Sequence, residues 1–304
     1  MFIRGFVRFG FLILIALLGI GCNSSKRVPK KVTLGLVSYG EEDISLYKYE
    51  GFKNYIQAQT KSIVELEPAY NELQAIDQIH RKQWDIVFAP PGLAAIAIDK
   101  QLYKPLFSMG EVSSRQRSLI VVRDDSPIKK IPDLANKTIA LGQIGSAAGY
   151  YVPLYDLYGL TLRNIRFAPT PKTVLQWLNE GSIDAGALSE KNFEIYRRQI
   201  TETKFRIIHI SRWIPPGVVL LSPNIERNRE REVRAIMSKA PANITSDAGY
   251  IPSVKIPEYK QFIQLIKKVK PLEARTKETP AVLLPKEDPK NKLSHRFTKF
   301  PEKT

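Results

Sequence analysis

The sequence predicts an α/β fold built as two successive halves. Three observations carry this. Short apolar runs recur along the chain, among them VTLGLVSY (32–39), DIVF (85–88), SLIVVR (118–123), TIAL (138–141), DAGAL (184–188) and VVLL (218–221). Segments with apolar residues at helical spacing alternate with them, the pattern of strands feeding crossover helices beside a largely parallel sheet. The rhythm breaks twice, at Asp-Asp-Ser-Pro (124–127) and at Trp-Ile-Pro-Pro-Gly (213–217), so one α/β unit follows another.

Taken in order, 32–39 reads as a first buried strand. Residues 45–60 carry Leu46, Tyr49, Phe52, Tyr55 and Ile56 at helical spacing, and 62–67 alternates as a strand. A helix is predicted over 71–81, with Leu73, Ile76 and Ile79 on one side. A short strand over 85–88 stops at Pro90-Pro91-Gly92, and a short helix follows over 93–100. The second half opens with the strand 118–123. Ile131–Lys137 leads into the strand 138–141, which runs into LGQIGSAAGYYVP (141–153) and a helix over 151–158. Strands over 165–168, 184–188, 205–210 and 218–221 alternate with helices over 170–181 and 192–198. Surface helices are expected over 227–239 and 255–270. From Leu272 the composition shifts to Lys, Glu and Pro, which predicts a solvated, basic, disordered tail over 273–304.

At 304 residues the chain is long enough for two domains with substantial cores. Its 46 Lys and Arg against 30 Asp and Glu give a formal charge of +16, which suits an anionic ligand or an anionic membrane face. Nucleic acid is excluded as a partner by the first residues, which direct the chain out of the cytoplasm. Arg4 and Arg8 precede a short apolar core, Phe9 to Ile20, too short for a spanning helix of about 20 residues. Small residues then lead to Cys22, the single cysteine. This is a secretory signal pattern over 1–21, and the Ile20-Gly21-Cys22 ending resembles a lipobox in which Gly19 stands where Leu is usual. Cys22 is therefore the expected lipid acceptor, and 22–31 reads as a polar tether. No disulfide is possible.

The stretch 141–153 is the most informative. A strand, a small-residue loop and a helix are how proteins aim backbone N–H groups at an anion. From the residues alone it is either such a cradle or a glycine turn that packs a helix on its strand. Several stretches together resemble the phosphate/phosphite/phosphonate-type substrate-binding lipoproteins of ABC transporters: WDIVFAPPGLAA, SLIVVRDDSPIKKIPDLANKTIALGQIGSAAGYYVP, WLNEGSIDAGAL and SDAGYIPSVKIPEYKQF. They occur in that family's order and cover roughly 32–272. The most specific is DSPI…DL…K, a strand, then S-x-x-G-Y-x-x-P.

The resemblance implies a type II-like periplasmic-binding-protein architecture. Each lobe is a mostly parallel sheet flanked by helices, and a two-strand hinge joins them: 32–123 with 217–272 as lobe 1, 124–216 as lobe 2. It also implies an extracytoplasmic solute-binding component of an importer, closing over a small anion and presenting it to permease subunits. A monomer, exported and held to the membrane through Cys22, is expected. A lipid-anchored sensory or scaffold protein of the same fold is the alternative.

Phosphonate binders of the family carry Ser-Thr-Ser in the loop; here the matching residues are Ser146, Ala147 and Ala148. Only Ser146 keeps a hydroxyl, so backbone N–H groups of Ala147, Ala148, Gly149 and Tyr150 are expected to do most of the holding. Tyr70, in EPAYNEL, matches a family tyrosine facing the cleft; from the residues alone it is a cleft or a core aromatic. Thr170, Ser189, Lys191 and Arg117 are the further ligand candidates, with Arg115, Lys172 and Arg212 nearby in strand-end positions. The family's acidic residues for an amino group would fall near Ser189–Lys191 and Gly217, and neither place is acidic, so an anion is favoured over an amine. No enzyme signature is found. His80, His209 and His295 are scattered, there is no HExxH or CxxC, and Ser146 lacks the G-x-S-x-G elbow. No metal and no cofactor are expected.

Overall fold

The computed structural model describes residues 31–37, 44–100, 102–110 and 116–284; the signal segment, Cys22, Arg115 and the end of the tail lie outside them. Two sheets organise the chain. The first holds β1 (Lys31–Val37), β2 (Ile63–Ala69), β3 (Ile86–Ala89), β4 (Lys104–Met109), β11 (Val218–Leu221) and β12 (Tyr250–Ile251), in the order β12-β4-β11-β3-β1-β2. The second holds β5 (Ser118–Arg123), β6 (Thr138–Leu141), β8 (Asn164–Phe167), β9 (Ala185–Ser189) and β10 (Phe205–Ile210), in the order β10-β5-β9-β6-β8. The two orders are the same pattern. In each, three parallel strands (β2-β1-β3 and β8-β6-β9) lie beside one antiparallel strand that has arrived from the other lobe: β11 in the first, β5 in the second.

The apolar runs explain the strands. Val32 to Leu36 are all buried, as are Ser118 to Val122, because helices cover both faces of each parallel sheet. In lobe 1, α1 (Ile44–Thr60) covers one face and α2 (Glu72–Arg81) and α3 (Pro91–Asp99) cover the other. In lobe 2, α4 (Val152–Asp156) continues a wide π turn at Ala147–Tyr151, while α5 (Pro171–Asn179) and α6 (Glu190–Tyr196) cover the opposite face. Lobe 1 is completed by α7 (Arg227–Ser238) and α8 (Ala242–Ala248), which close the cluster around Phe52, Phe88 and Tyr250. The strand β4 and the short helix α8 were not expected from the sequence.

Three boundaries differ from the sequence reading. The strand 118–123, expected in lobe 1, belongs to the second sheet, where Ser118 pairs with Ser189 and Val122 with Arg206. The first crossing thus lies between Met109 and Ser118 rather than near 124, since an apolar strand does not declare which sheet it completes. The second crossing, Ser211 to Gly217, runs from β10 of the second sheet to β11 of the first. The crossings are bonded together: Ile214 donates to the Gln116 carbonyl (2.8 Å) and Ser118 N–H to Ser211 Oγ (2.8 Å).

The second difference is that α9 (Lys260–Val269), expected in lobe 1, packs on α3 of lobe 1 and on α4 of lobe 2. The third is that the expected disorder does not begin at 273. A 3₁₀ turn at Arg275–Lys277 and the strand β13 (Ala281–Val282) follow, and β13 pairs antiparallel with β7 (Thr161–Leu162) of lobe 2. Leu272, Thr276, Ala281 and Leu283 are fully buried there, enough apolar contact to order a polar-looking segment. A third connection therefore joins the lobes besides the two-strand hinge. Among the described residues no helix is long and apolar enough to cross a membrane.

Candidate functional site

The parallel strands of both lobes point their carboxyl ends at one place, where open α/β sheets bind ligands. A cavity of about 260 Å³ lies there, between the lobes. Val37 at the end of β1, Pro90 after β3, Gly142 after β6, Ala168 after β8 and Ser189 at the end of β9 all line it.

Each of those strand ends but the first passes directly or after a short loop into a helix whose start also faces the cavity. Four helical segments of nine or ten residues begin at its wall: Glu72 opens α2, Pro91 opens α3, Ala147 opens the turn that continues as α4, and Pro171 opens α5. The shorter α6 joins them through Ser189, Lys191 and Asn192. Each helix start carries roughly half a positive charge and N–H groups without an intrahelical acceptor. Their convergence makes the cavity positive with few side-chain cations. Glu72 and Lys191 are the charged residues on its wall.

Three hydroxyls sit at those starts as caps. Ser146 Oγ accepts from Gly149 N–H (3.1 Å), Thr170 Oγ1 from Thr173 N–H (3.2 Å) and Ser189 Oγ from Asn192 N–H (3.2 Å). A hydroxyl that accepts from the backbone keeps its own proton to donate. Thr170 shares a further contact with Thr173 Oγ1 (2.9 Å), while among the described residues the Ser146 and Ser189 hydroxyls act only as acceptors. The Ser146 carbonyl accepts from both Tyr150 and Tyr151 (3.1 and 3.0 Å), which is what widens the first turn. So the N–H groups of Gly149 and Tyr150, expected to face an anion, are spent inside the loop. Those of Ala147 and Ala148 stand at the first two helical positions, where the helix itself supplies no acceptor.

The loop fits because of glycine. Gly145 has φ +110°, a left-handed conformation that side chains resist, and it lies against the Glu72 side chain of lobe 1. Gly92, second residue of α3, lies so close to the Gly145 carbonyl that an added Cβ would come within 1.8 Å of it. The lobes are thus in contact beside the cradle, and this is a closed cleft.

Of the sequence-predicted residues, Ser146, Ala147, Ala148, Gly149, Thr170, Ser189 and Lys191 come together on the cavity wall. Three do not. Tyr70 is 59% exposed outside it, because the chain turns to solvent after β2 to cap α2. The Tyr150 ring is fully buried against Tyr151 and Phe167, behind the cradle; its hydroxyl faces Thr276, and burial pushes its pKa up to about 12. Arg117 stacks on Trp213 at 3.7 Å in the crossing region. Arg212 lies over Tyr155 at 4.6 Å, so the expected cationic mouth loses both arginines. Sequence reading missed Glu72, Gln116, Gln143 and Asn192 on the wall. A signal existed for two of them: Glu72 follows the cap Asn71, whose side chain accepts from Gln74 N–H, and Gln143 lies inside the loop already singled out.

A family model described as "ABC transporter, phosphonate, periplasmic substrate-binding protein" matches residues 34–263. Among solved structures, PhnD1 from Prochlorococcus marinus in complex with methylphosphonate has a TM-score of 0.65 at 16% identity, over 80% of this chain and 99% of its own. A binding-protein component of an ABC phosphonate transporter from Pseudomonas aeruginosa has 0.64 at 17% identity, over 82% and 88%. XAC2383 from Xanthomonas citri, bound to ATP, has 0.65 at 19% identity, over 79% and 98%. These likenesses show a shared fold. No curated protein matches the chain. With the match to the family covering most of the chain, from the first sheet to α9, this protein belongs to the phosphonate-type periplasmic substrate-binding proteins of ABC transporters: an exported component that takes up a small ligand for a permease, not an enzyme.

Proposed function

We propose that this protein holds a small phosphorus oxyanion of the phosphonate class in the inter-lobe cavity, as a monomer tethered to the membrane through a lipid on Cys22. The observation that carries the ligand class is the convergence of helix starts on a cavity of about 260 Å³ that Ser146, Thr170 and Ser189 also line. The oxygens of a tetrahedral anion match donors arriving from several directions. Ala147 and Ala148 N–H groups and the Ser146 hydroxyl hold one side. Thr170, Ser189 and Lys191 hold another. The hydroxyls that the family loop loses at Ala147 and Ala148 are thereby replaced from the starts of α5 and α6. Tyr70, Arg117 and Tyr150 act outside the first contacts, Tyr150 by supporting the cradle from behind.

Closing the lobes removes water from the anion and strengthens each of these bonds, so closure and binding stabilise one another. Lobe 1 (31–110 with 218–251) and lobe 2 (118–210), with the crossings between, are the moving parts, and the closed rim is the face offered to the permease.

The test is thermal unfolding of the full chain in detergent against phosphate, phosphite, methylphosphonate, sulfate and small carboxylates. A ligand at 100 times its dissociation constant adds ~2.7 kcal/mol of stability. The expected result is a shift with a phosphorus oxyanion that Ser146→Trp removes. A shift only with carboxylates overturns the ligand class. Membrane fractionation of Cys22→Ser tests the tether, with release into the soluble fraction expected.

A further inference from the structure

The cradle is assembled from donors, and one buried atom beside it is an acceptor. Gln143 lines the cavity, and its Oε1 is buried without a hydrogen-bond partner among the described residues. The other residues with such an atom lie off the cavity wall. A buried amide oxygen left unmet costs the fold about what a hydrogen bond is worth, so it calls for a donor.

The place of Gln143 in the chain decides which part of a ligand it meets. It follows Gly142 after β6 and stands three residues before Ser146. Its carbonyl accepts from Ser146 N–H (3.0 Å), and Gly142 N–H donates to the Gly149 carbonyl (2.8 Å). Both bonds fix Gln143 in the same turn that presents Ala147 and Ala148. Its side chain therefore starts at the head of the bound anion rather than along its carbon arm. Beside an oxyanion with no proton, an acceptor meets only lone pairs and repels them. It is satisfied by an oxygen that still carries its proton. A phosphonate with one negative charge has such an oxygen. A sulfonate of the same shape and charge has none.

We propose that Gln143 is a specificity-determining residue that selects the protonated anion: its amide oxygen accepts from the P–OH group of a singly charged phosphonate. The two remaining oxygens take the donors of the cradle and of the starts of α5 and α6. This rests on the phosphonate reading of the cavity. Phosphorus is thereby told from sulfur by a proton on an oxygen, with no contact to the central atom.

The experiment is titration calorimetry of the full chain in detergent with methylphosphonate and with methanesulfonate, at a pH below the second ionisation of methylphosphonate. Wild type, Gln143→Met and Gln143→Glu are compared. Methionine keeps the chain length and removes the oxygen; glutamate keeps an acceptor. The readout is the ratio of the two dissociation constants within each protein, which does not depend on how much of a variant is folded. Wild type is expected to bind methylphosphonate about tenfold tighter or better than methanesulfonate, the cost of leaving one buried acceptor unmet. In Gln143→Met the ratio should fall to about one, with methylphosphonate binding weakened and methanesulfonate binding tightened. A merely structural role would weaken both. Gln143→Glu should keep the wild-type preference. A wild-type ratio near one, a ratio that Gln143→Met leaves intact, or a preference that Gln143→Glu abolishes overturns the role of Gln143, while methylphosphonate binding keeps the cradle reading. Binding of neither compound overturns both.

Discussion

The contact between Gly92 and Gly145 gives a direct handle on closure. A methyl group at Gly92 would lie 1.8 Å from the Gly145 carbonyl oxygen and 3.1 Å from Ala147 N. Both neighbours are backbone, so neither can rotate away. Gly92 has no left-handed φ, and alanine is at home near a helix start, so Gly92→Ala does not strain its own lobe. Ordinary contact begins at 3.4 Å, so the lobes must part by about 1.6 Å at this point. A hydrogen bond of about 2.9 Å stretched by that much is no longer one. Losing two bonds to a charged ligand, at ~1.5–3 kcal/mol each, weakens binding by about 10²- to 10⁴-fold. Calorimetry with the ligand found by the thermal panel measures the loss. Small-angle scattering with and without ligand measures closure, and the variant is expected to stay at its open radius of gyration. A variant that binds within threefold of wild type and contracts normally would refute the placement of the two lobes against each other at the cradle.

Other expectations are simpler. Ser146→Ala removes both the cap on Gly149 N–H and a proton for the ligand; it should cost ~1 kcal/mol in unliganded unfolding and at least tenfold in affinity. Leu283→Ala should cost ~2–5 kcal/mol by urea titration, because Leu283 is fully buried against lobe 2; a solvated tail would show no change. Asp133 accepts from Lys129 and Lys130 N–H (2.9 and 3.2 Å), and the bond from Lys129 first of all holds its carboxyl below the usual range. Its folded pKa lies under the unfolded one, so its stabilisation is complete above the unfolded value and is lost as pH falls through the folded one. Asp133→Asn should therefore lower the urea midpoint at pH 7 and match wild type at pH 2.

Much of the fold is legible in the chain because buried parallel strands have an unmistakable composition. SLIVVR and VVLL allow no solvated reading, and the helices between such strands keep one apolar face. The strand β4 was not legible: KPLFSM begins with a lysine and a proline and buries Leu106, Phe107 and Ser108 only because β11 arrives beside it from the other lobe. The segment 273–284 was hidden for a related reason. Its buried residues have no period, and their partners, Leu162 and Tyr150, come from a different part of the chain. At the site, the cradle and its capping hydroxyls were readable because caps are local. The outward turn of Tyr70 and the stacking of Arg117 on Trp213 were not, since they depend on how the loop after β2 and the second crossing run in space.

The order of strands in the first sheet bears on how this protein comes to be folded at all. β11 lies between β3 and β4, in the middle of the sheet, yet more than half the chain separates it from β1. An exported polypeptide reaches its destination amino end first. Lobe 1 then arrives with a gap at its centre and two unpaired strand edges, which must wait while the whole of lobe 2 follows. The second sheet has no such gap, because all five of its strands lie within one continuous stretch from Ser118 to Ile210. The later half of the molecule can assemble first and serve as the platform on which the earlier half is finished, and the strands left waiting are where a chaperone of the export route has most to protect.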